Sequence, residues 1–589
     1  MNRKIEVPKS ISELDFDPHG EVYPSPRDWR DIFIYFLLID RFDDSRRYAP
    51  PFNPDFTPKG RDPRQGGIFQ GGNLNGVTRR LDYIKNLGCN ALWISPIFKN
   101  RQERVDTYHG YGIQDFLSID PRFGNREDLK RLVKEAHSRG IYVILDIIIN
   151  HTGDNWAYLG GEKAYRSTCP HSFGFWRRKE AILGKDDAVW PQELQNPLYY
   201  KKRGSIRDFK GAGLEEIEDG DFATYKKLDM DHPSVMDCLI KIYKYWIAIS
   251  DVDGFRLDTA RHLGPGPCAR FCNAIKEYCR RIGKHNFLIF GEVSGDDEQM
   301  RSYLCRRVPI SGREDCLLSL EAALDFPLNE TLEMVFKKGG DPARLKDRYL
   351  LLEEYYQDRC SPGSHLVTFL DNHDRNERFM HGLESTNLVL AALGYLITSP
   401  GIPCLYYGTE QGFDGHGDKD HYVRECLFGG RWGAFDTTGV HFFDDQSPFY
   451  QHIKVLAKIR REQPALRYGR MHFREVSWDG RSFEHPSLAN RLAMIAFSRL
   501  LDQDEILVAI NLSSEERRIW VGVEEGLYTL YDIYNADELF LTGTGAEAAP
   551  IVEADRRKIG DGTPGPVTRR IIKAFRDYAA TSGAPVWPE

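Results

Sequence analysis

The chain has 589 residues, of which 41% are hydrophobic, 12% aromatic and 28% charged. This composition excludes a mainly disordered protein, and the length excludes a small disulfide-stabilised scaffold. The 79 Lys and Arg residues against 87 Asp and Glu residues give a net charge of -8, which argues against a nucleic-acid partner and a basic, membrane-facing surface. At about 100–200 residues per domain, we expect three or four domains, or one large barrel with attachments.

The N-terminal segment and the cysteines indicate a cytoplasmic protein. Residues 1–22 lack the apolar core of a secretory signal, and no run of about 18 apolar residues predicts a membrane helix. The 11 cysteines are scattered without a disulfide framework, so we expect reduced thiols. Cys268, Cys272 and Cys279 lie on one predicted helix face without histidines at zinc spacing, which favours core thiols over a metal site.

Eight short runs of β-branched and aromatic residues predict strands. In chain order they are 31–42, 90–97, 142–151, 251–262, 287–293, 322–328, 366–374 and 402–410. Near-continuous apolar runs are typical of parallel strands that are covered on both faces. Helical patterns lie between several of them, at 77–88, 126–140 and 235–250, and the first two end on a glycine. Strands alternating with helices favour a (β/α)8 TIM barrel.

A doubly wound sheet is the competing fold, but it requires a glycine-rich phosphate turn after the first strand, and DRFDDSRRYAPPFN is no such turn. A long insertion rich in Trp, Tyr, Lys and Arg interrupts the barrel pattern and predicts a subdomain. After residue 470, alternating short runs predict an antiparallel β-sandwich domain. The predicted domains are an N-terminal extension at 1–30, the barrel at 31–151 and 232–469, the insertion at 152–231 and the β domain at 470–589.

Three acidic residues end three different predicted strands: Asp258, Glu292 and Asp374. Barrel enzymes keep their chemistry at the C-terminal ends of the strands, so we expect the three carboxylates to converge. Glycoside hydrolysis needs such a set, with a nucleophile, a proton donor and further charge around an oxocarbenium-like transition state. Arg256 lies two residues before Asp258 and therefore on the same strand face, where its charge is expected to lower the pKa of the carboxyl group. An ordinary buried Arg–Asp pair explains that spacing equally well.

Four segments together resemble the signatures of the α-amylase family of glycoside hydrolases, in the right order. They are DIIINH (146–151), GFRLDTARH (254–262), FGEV (290–293) and FLDNHD (369–374). Three more segments are similar to further parts of the family: FQGGNLNG (69–76), YHGYGIQDF (108–116) and GIPCLYYGTE (401–410). The resemblance extends from about residue 32 into the C-terminal β domain, and the insertion falls where the family carries its domain B. A neopullulanase-like or oligosaccharide-hydrolase-like member that acts on maltodextrins is the best match.

The resemblance implies a role for each carboxylate. Asp258 is implied as the nucleophile that forms a β-glycosyl–enzyme intermediate, and Glu292 as the general acid and then the general base. Asp374 is implied as the third carboxylate, which stabilises the distorted sugar ring. A retaining mechanism then predicts that the carboxyl groups of Asp258 and Glu292 stand about 5–5.5 Å apart and that Glu292 starts protonated.

Five further residues take supporting roles by the same resemblance. Arg256 supports the nucleophile, and Asp146 holds the Arg256 region in place. His151 and His373 are implied to bind hydroxyl groups of the reacting sugar, and Tyr111 to stack on its face.

The resemblance also suggests a structural calcium ion. Asn150 matches a family calcium ligand, His262 offers its main-chain carbonyl, and Asp229 is the best further candidate from the insertion. Asn150 as a hydrogen-bonded loop residue explains its place equally well. The sequence departs from the family pattern at a second calcium site, because its turn here carries Asn73 and its first loop carries Arg46 and Arg47.

Two features of the insertion leave alternatives open. The basic segment KKRGSIRDFKG (201–211) predicts a solvated loop or, alternatively, a site for a phosphorylated sugar. One or two of its aromatic residues are expected to line sugar subsites, and the others to pack in a core. The candidates are Trp156, Trp176, Trp190, Tyr199 and Tyr200.

These observations predict a retaining α-glucoside hydrolase that cleaves α-1,4-linked gluco-oligosaccharides, without an organic cofactor, as a monomer or homodimer. The alternative is a transglycosylase or isomerase of the same family, which transfers glucosyl units to sugar acceptors and includes enzymes with trehalose-type or sucrose-type substrates. A non-catalytic, transporter-associated relative is disfavoured because no catalytic carboxylate is missing and no membrane helix is predicted.

Overall fold

The protein is described here by a computed structural model that covers residues 7–49, 66–177, 188–209, 211–304, 320–355, 366–383, 385–429, 439–515 and 519–522, with short strands between 306 and 317 and between 539 and 558. The chain divides into two units. The first comprises Met1–Pro327, His365–His381 and Ile402–Ala457, and the second comprises Leu328–Ser364, Gly382–Gly401 and Lys458–Glu589. The predicted domain boundaries remain a prediction.

The first unit contains a barrel of eight parallel strands. They are β1 (Ile34–Leu37), β2 (Ala91–Ile94), β3 (Tyr142–Ile147), β4 (Gly254–Leu257), β5 (Leu288–Gly291), β6 (Ala322–Ala323), β7 (Val367–Thr368) and β8 (Ile402–Tyr406). The strand order is β6-β5-β4-β3-β2-β1-β8-β7. A parallel bridge between Leu324 and Val367 joins β6 to β7 and closes the barrel. The predicted TIM barrel is confirmed.

The strands are apolar because both of their faces are covered. Every residue of β1, β2, β4, β5 and β8 is buried, which explains the near-continuous hydrophobic runs in the sequence. The register pairs Arg256 of β4 with Asp146 of β3. Since neighbouring side chains in register point to the same face, a guanidinium and a carboxylate meet inside the barrel.

Helices alternate with these strands along the chain. Those of six or more residues in the described part of the chain are α1 (Leu74–Arg79), α2 (Leu81–Leu87), α3 (Arg126–Ser138), α4 (Leu214–Asp219), α5 (Pro233–Ser250), α6 (Pro265–Arg281), α7 (Asp297–Tyr303), α8 (Phe326–Leu332), α9 (Ala343–Tyr355), α10 (Thr386–Thr398) and α11 (Pro448–Glu462). Helix α3 begins with a capping box formed by Asn125 and Asp128. Helix α2 ends at Gly88 with φ +109°, the left-handed C-terminal signal read from the sequence.

The insertion between β3 and α5 contains two short antiparallel strand pairs. Trp156–Tyr158 pairs with Phe173–Trp176, and Lys226–Lys227 pairs with His151–Thr152. The second pair brings the end of the insertion back to the residues that follow β3. Trp156 and Tyr200 are buried, so these two aromatic residues pack in the core of the insertion.

The second unit contains an antiparallel sheet in which β10 (Met494–Leu501) lies between β9 (Arg470–Phe473) and β11 (Asp504–Asn511). The buried guanidinium of Arg499 donates to the carbonyl oxygens of Thr398 at 2.6 Å and Gly469 at 2.9 Å. Further antiparallel pairs occur between 539 and 558. The predicted C-terminal antiparallel β fold is therefore confirmed, although most of the chain after 522 lies outside the described residues.

Two further predictions concern thiols and membranes. Eight cysteines of the described residues carry free thiols, and all but Cys169 are buried. Among them are Cys268, Cys272 and Cys279, which lie inside α6 as core thiols. No helix within the described ranges has the length and apolar character needed to cross a membrane. The cytoplasmic location remains a prediction.

Candidate active site

The candidate catalytic residues lie together at the C-terminal ends of the barrel strands. Arg256 is in β4 and Asp258 directly follows it, while Glu292 directly follows β5. Asp374 comes six residues after the end of β7. Asp146 lies in β3, next to β4 in the sheet. The barrel therefore brings together carboxylates that are spread over residues 146–374 of the sequence.

The guanidinium group of Arg256 is the centre of this site. Its Nη1 donates to Asp258 Oδ1 at 2.7 Å and to both oxygens of Asp146 at 3.0 Å. Its Nη2 donates to Glu292 Oε2 at 2.8 Å, and the same oxygen accepts from the backbone N–H of Thr259 at 3.1 Å. One planar cation thus binds three carboxylates and fixes their positions relative to one another.

Burial of these carboxyl groups opposes their ionisation. Burial raises the pKa of Asp146 to about 6, and the charge of Arg256 opposes the rise. Burial also raises the pKa of Asp258 well above its usual range. The positive charge of Arg256 opposes this rise, and the negative charge of Glu292 adds to it. The lowered pKa expected for Asp258 is therefore not found, because burial outweighs the opposing charge of Arg256. A site of this kind retains a proton to higher pH than isolated carboxylates do.

Tyr111 links Asp146 to His373. The Tyr111 hydroxyl donates to Asp146 Oδ2 at 3.0 Å and lies 2.7 Å from His373 Nε2. The rings of Tyr111 and His373 stack with centroids 5.6 Å apart. Trp93, which sequence reasoning missed, donates from Nε1 to the same Asp146 oxygen at 3.2 Å. Asp146 thus holds the two aromatic groups in fixed orientations.

Gly110 controls the position of Tyr111. Its φ of +85° is in the left-handed region, and an added Cβ would stand 2.1 Å from the carbonyl oxygen of Pro96. We expect Gly110→Ala to lower the free energy of unfolding by about 1–3 kcal/mol and to lower kcat/KM, because relief of the clash moves Tyr111. Gly140→Ala is the matched control, since Gly140 has φ +71° and nothing within 4 Å. Equal losses in both variants, measured by urea denaturation, would refute the clash with Pro96.

His151 and His373 are neutral groups in the site wall. Burial lowers the pKa of His151 to about 3. Burial, together with Arg424 and Arg256, lowers that of His373 well below its usual range. The ring of His151 stacks on Tyr225 of the insertion with centroids 5.1 Å apart. Neutral imidazoles that are held in place by packing suit hydrogen bonds to uncharged sugar hydroxyls.

Arg424 is a second cation at the site, which sequence reasoning missed. Its Nε donates to the His373 carbonyl at 2.9 Å, and its Nη2 donates to Asp374 Oδ1 at 3.1 Å. The Nη2 atom also lies 2.8 Å from Asp420 Oδ2. The side chain of Arg424 is 4% exposed, whereas that of Asp374 is 39% exposed. A buried fork therefore orients a carboxylate that stays accessible from the cleft.

We expect Arg424→Lys to reduce kcat by about 100-fold with a smaller change in KM. A lysine keeps the charge but cannot bind His373, Asp374 and Asp420 at once, so the accessible carboxylate loses its fixed orientation. Steady-state kinetics on maltoheptaose measures the effect. Arg131→Lys, at a half-exposed arginine of α3, is the control and should leave both constants unchanged. A change confined to KM would contradict the positioning of Asp374.

The predicted calcium ligands do not fit a calcium ion. The Nζ atom of Lys227 donates to Asn150 Oδ1 and, at 2.6 Å, to the main-chain carbonyl of His262. Asp229 does not join them, because its carboxylate lies 3.3 Å from Lys201 Nζ. Burial lowers the pKa of Lys227 to about 7. The charged and the neutral amine both donate to these oxygens, so the predicted metal position is filled by a lysine.

The basic segment of the insertion is paired with acidic residues. Lys201 Nζ lies 3.1 Å from Asp219 and 2.8 Å from Asp231, in addition to its contact with Asp229. Arg207 binds Glu216 at 2.8 Å. These pairs satisfy Lys201 and Arg207 without a phosphate, which favours the solvated loop, although Lys210 lies outside the described residues. Trp176, Trp190 and Tyr199 are partly exposed and remain candidates for sugar contacts.

Residues 36–427 match the family described as alpha amylase, catalytic domain. The chain is 30% identical to an alpha-amylase of Streptomyces lividans, over 84% of this chain and 56% of that protein. It is 27% identical to a cyclomaltodextrinase of a Bacillus species, over 86% of this chain and 76% of that protein. The alpha-amylase of Geobacillus thermoleovorans, solved with acarbose, superposes with a TM-score of 0.59 at 28% identity, over 83% of this chain and 88% of that chain. The chain thus spans little more than half of the first of these curated relatives.

Proposed function

Because the chain belongs to the alpha-amylase family of glycoside hydrolases, we propose that it hydrolyses α-1,4-linked gluco-oligosaccharides with retention of configuration. The observation that carries the proposal is the shared guanidinium of Arg256, which holds Asp258 and Glu292 at the mouth of the barrel. Two carboxyl groups bound to one guanidinium are proposed to supply the nucleophile and the acid that a retaining glycosidase needs.

In the first step, Glu292 donates its proton to the glycosidic oxygen while Asp258 attacks the anomeric carbon. The bond from that carbon to the leaving oxygen breaks, the shortened oligosaccharide departs, and a β-glycosyl ester of Asp258 forms. Arg256 stabilises the carboxylate of Asp258 before the attack. Asp374, oriented by Arg424, faces the positive charge that develops on the ring.

In the second step, the ionised Glu292 takes a proton from a water molecule, whose oxygen attacks the same carbon. The ester bond to Asp258 breaks and releases the sugar with the α configuration. The neutral imidazoles of His151 and His373 are proposed to bind sugar hydroxyls in both steps, and Tyr111 to stack on the ring.

Transfer to a sugar acceptor is the second candidate, since it differs only in the molecule that attacks in the second step. A specific observation favours keeping it: a three-domain cyclomaltodextrin glucanotransferase superposes with a TM-score of 0.59 at 28% identity. Glucosyl transfer that involves trehalose-type or sucrose-type substrates belongs to this candidate.

The test is incubation with maltoheptaose, with reducing ends, product lengths and the first-formed anomer measured together. Hydrolysis predicts new reducing ends, shorter oligosaccharides and the α-anomer first, as seen by proton NMR. Glu292→Gln is the control and should lack all three signals. Longer or cyclic products without new reducing ends would show transfer instead of hydrolysis. Release of the β-anomer as the first product would exclude a retaining mechanism.

A further inference from the structure

Lys227 ties three parts of the site together. Its amine binds Asn150, which follows β3, and the carbonyl of His262, which lies four residues after Asp258. Its own backbone belongs to the short strand of the insertion that pairs with His151–Thr152. Lys227 is 2% exposed, so these contacts are shielded from water. One side chain therefore fastens the loops after β3 and β4 to the end of the insertion.

The contacts of Lys227 are those of a bound cation. Both acceptors are oxygens, one from a carboxamide and one from the main chain, which are ordinary ligands of calcium. The nitrogen of the Asn150 carboxamide lies 3.2 Å from His151 Nδ1. The amine thereby fixes which way the Asn150 amide points and which atom it presents to His151. A metal ion in the same place would collide with the amine.

A basic side chain also binds a second cluster of oxygen atoms, in the loop after β1. Arg79 donates from Nη2 to Asp43 Oδ2 at 2.7 Å and from Nη1 to the carbonyl oxygens of Ser45 at 2.7 Å and Arg46 at 2.9 Å. Asn73 Oδ1 accepts from the N–H of Gly76 to cap α1 and from the Ser45 hydroxyl, and Asn73 Nδ2 donates to the Asp44 carbonyl, so Asn73 binds this loop through hydrogen bonds. A guanidinium thus gathers one carboxylate and two carbonyls.

We propose that Lys227 stands in for a structural divalent cation, so that the loops of this active site are held without calcium. Because the lysine side chain is part of the protein, a chelator cannot remove it. Its occupancy of the position does not depend on the concentration of a free ion. Lys227 is a positioning residue in this scheme: it orients Asn150, and through it His151, without touching substrate. The role of Lys227 in activity rests on the proposed function, whereas its replacement of a calcium ion does not.

The experiment compares wild-type enzyme with Lys227→Asp and Lys227→Met, each dialysed against EDTA. Thermal unfolding is followed without added metal, with 5 mM calcium or with 5 mM magnesium, concentrations of the order of weak calcium sites. We expect wild-type Tm to change by less than about 1 °C. Lys227→Asp places a carboxylate beside the oxygens of Asn150 and His262, so that all three groups are available as calcium ligands. We expect calcium to raise the Tm of this variant by at least about 3 °C. Lys227→Met should melt below wild type and not respond to calcium.

Activity on maltoheptaose gives a second readout. Calcium should restore kcat of Lys227→Asp at least about tenfold and leave Lys227→Met unchanged. Lys202→Met is the matched control, because within the described part of the chain the Lys202 amine binds a single carbonyl, that of Pro197, at 2.7 Å. A wild-type Tm that rises in calcium as much as that of Lys227→Asp would overturn the proposal, as would a Lys227→Asp variant indifferent to calcium. Inactive wild-type enzyme with the expected Tm pattern would count against the proposed function alone.

Discussion

Replacing Asp258 by asparagine is expected to lower kcat by about 10⁴-fold or more while the protein remains folded. The amide oxygen can still accept from Arg256 Nη1, which lies 2.7 Å from Asp258 Oδ1 in the native site. The amide cannot form the glycosyl ester, so the reaction loses its first step. Steady-state kinetics on maltoheptaose, together with the near-ultraviolet circular dichroism spectrum, measures both parts of the prediction.

Asp237→Asn is the matched control for this variant, because Asp237 lies on α5 and its side chain is 57% exposed. We expect the control to keep wild-type kcat and KM. An Asp258→Asn enzyme that retains more than about one per cent of wild-type kcat would rule out Asp258 as the nucleophile.

Replacing Arg256 by methionine is expected to lower the free energy of unfolding by about 3–5 kcal/mol at pH 7 and to abolish measurable turnover. The guanidinium is fully buried and binds Asp146, Asp258 and Glu292, so its removal leaves buried carboxylates without a counter-charge. Urea denaturation measures the loss of stability, and the same preparations are assayed on maltoheptaose.

The loss of stability in Arg256→Met should depend on pH in a defined direction. Burial already raises the pKa of Asp146 to about 6 in the native protein, and loss of Arg256 raises it further. At a pH between its unfolded and its folded pKa, such a carboxyl group is protonated in the folded protein and ionised in the unfolded protein. The free energy of unfolding therefore falls as pH rises through this range. The variant should therefore approach wild-type stability near pH 4 and depart most at pH 7–8.

Arg30→Met provides the reference for a partly exposed pair, since Arg30 binds Asp28 at 2.7 Å near the surface. It should cost less than about 1 kcal/mol at any pH. The central role of the guanidinium would be incorrect if Arg256→Met lowered the free energy of unfolding no more than Arg30→Met does. It would also be incorrect if the loss of stability in Arg256→Met were largest at acidic pH.

The barrel was predictable from the sequence because its strands are buried on both faces. A run such as DIFIYFLLIDRF marks β1 through its continuous apolar character, and Gly88 marks the end of α2. The closure between β6 and β7 was not predictable. Only two residues form each of these strands, and the bridge from Leu324 to Val367 joins positions whose pairing no local pattern encodes.

The positions of the candidate catalytic carboxylates were predictable because each follows a strand within a recognisable segment. Arg424 and Trp93 were missed, since an arginine in an irregular loop and a tryptophan in a buried strand have ordinary local explanations. Lys227 was missed for a different reason. The prediction of calcium at Asn150 and His262 identified a cation position, but the cation is supplied by a residue that only the strand pairing with His151 brings there.

The most direct measurement of the central claim is mass spectrometry of the enzyme after reaction with an α-glucosyl fluoride that carries a second fluorine on its ring. The second fluorine slows the hydrolysis step, so the covalent ester accumulates. We predict a mass increase of one fluoroglucosyl group on the peptide that contains Asp258, and none in Asp258→Asn. Labelling of Glu292 or Asp374 instead, or turnover of the reagent without any covalent adduct, would contradict the proposed mechanism.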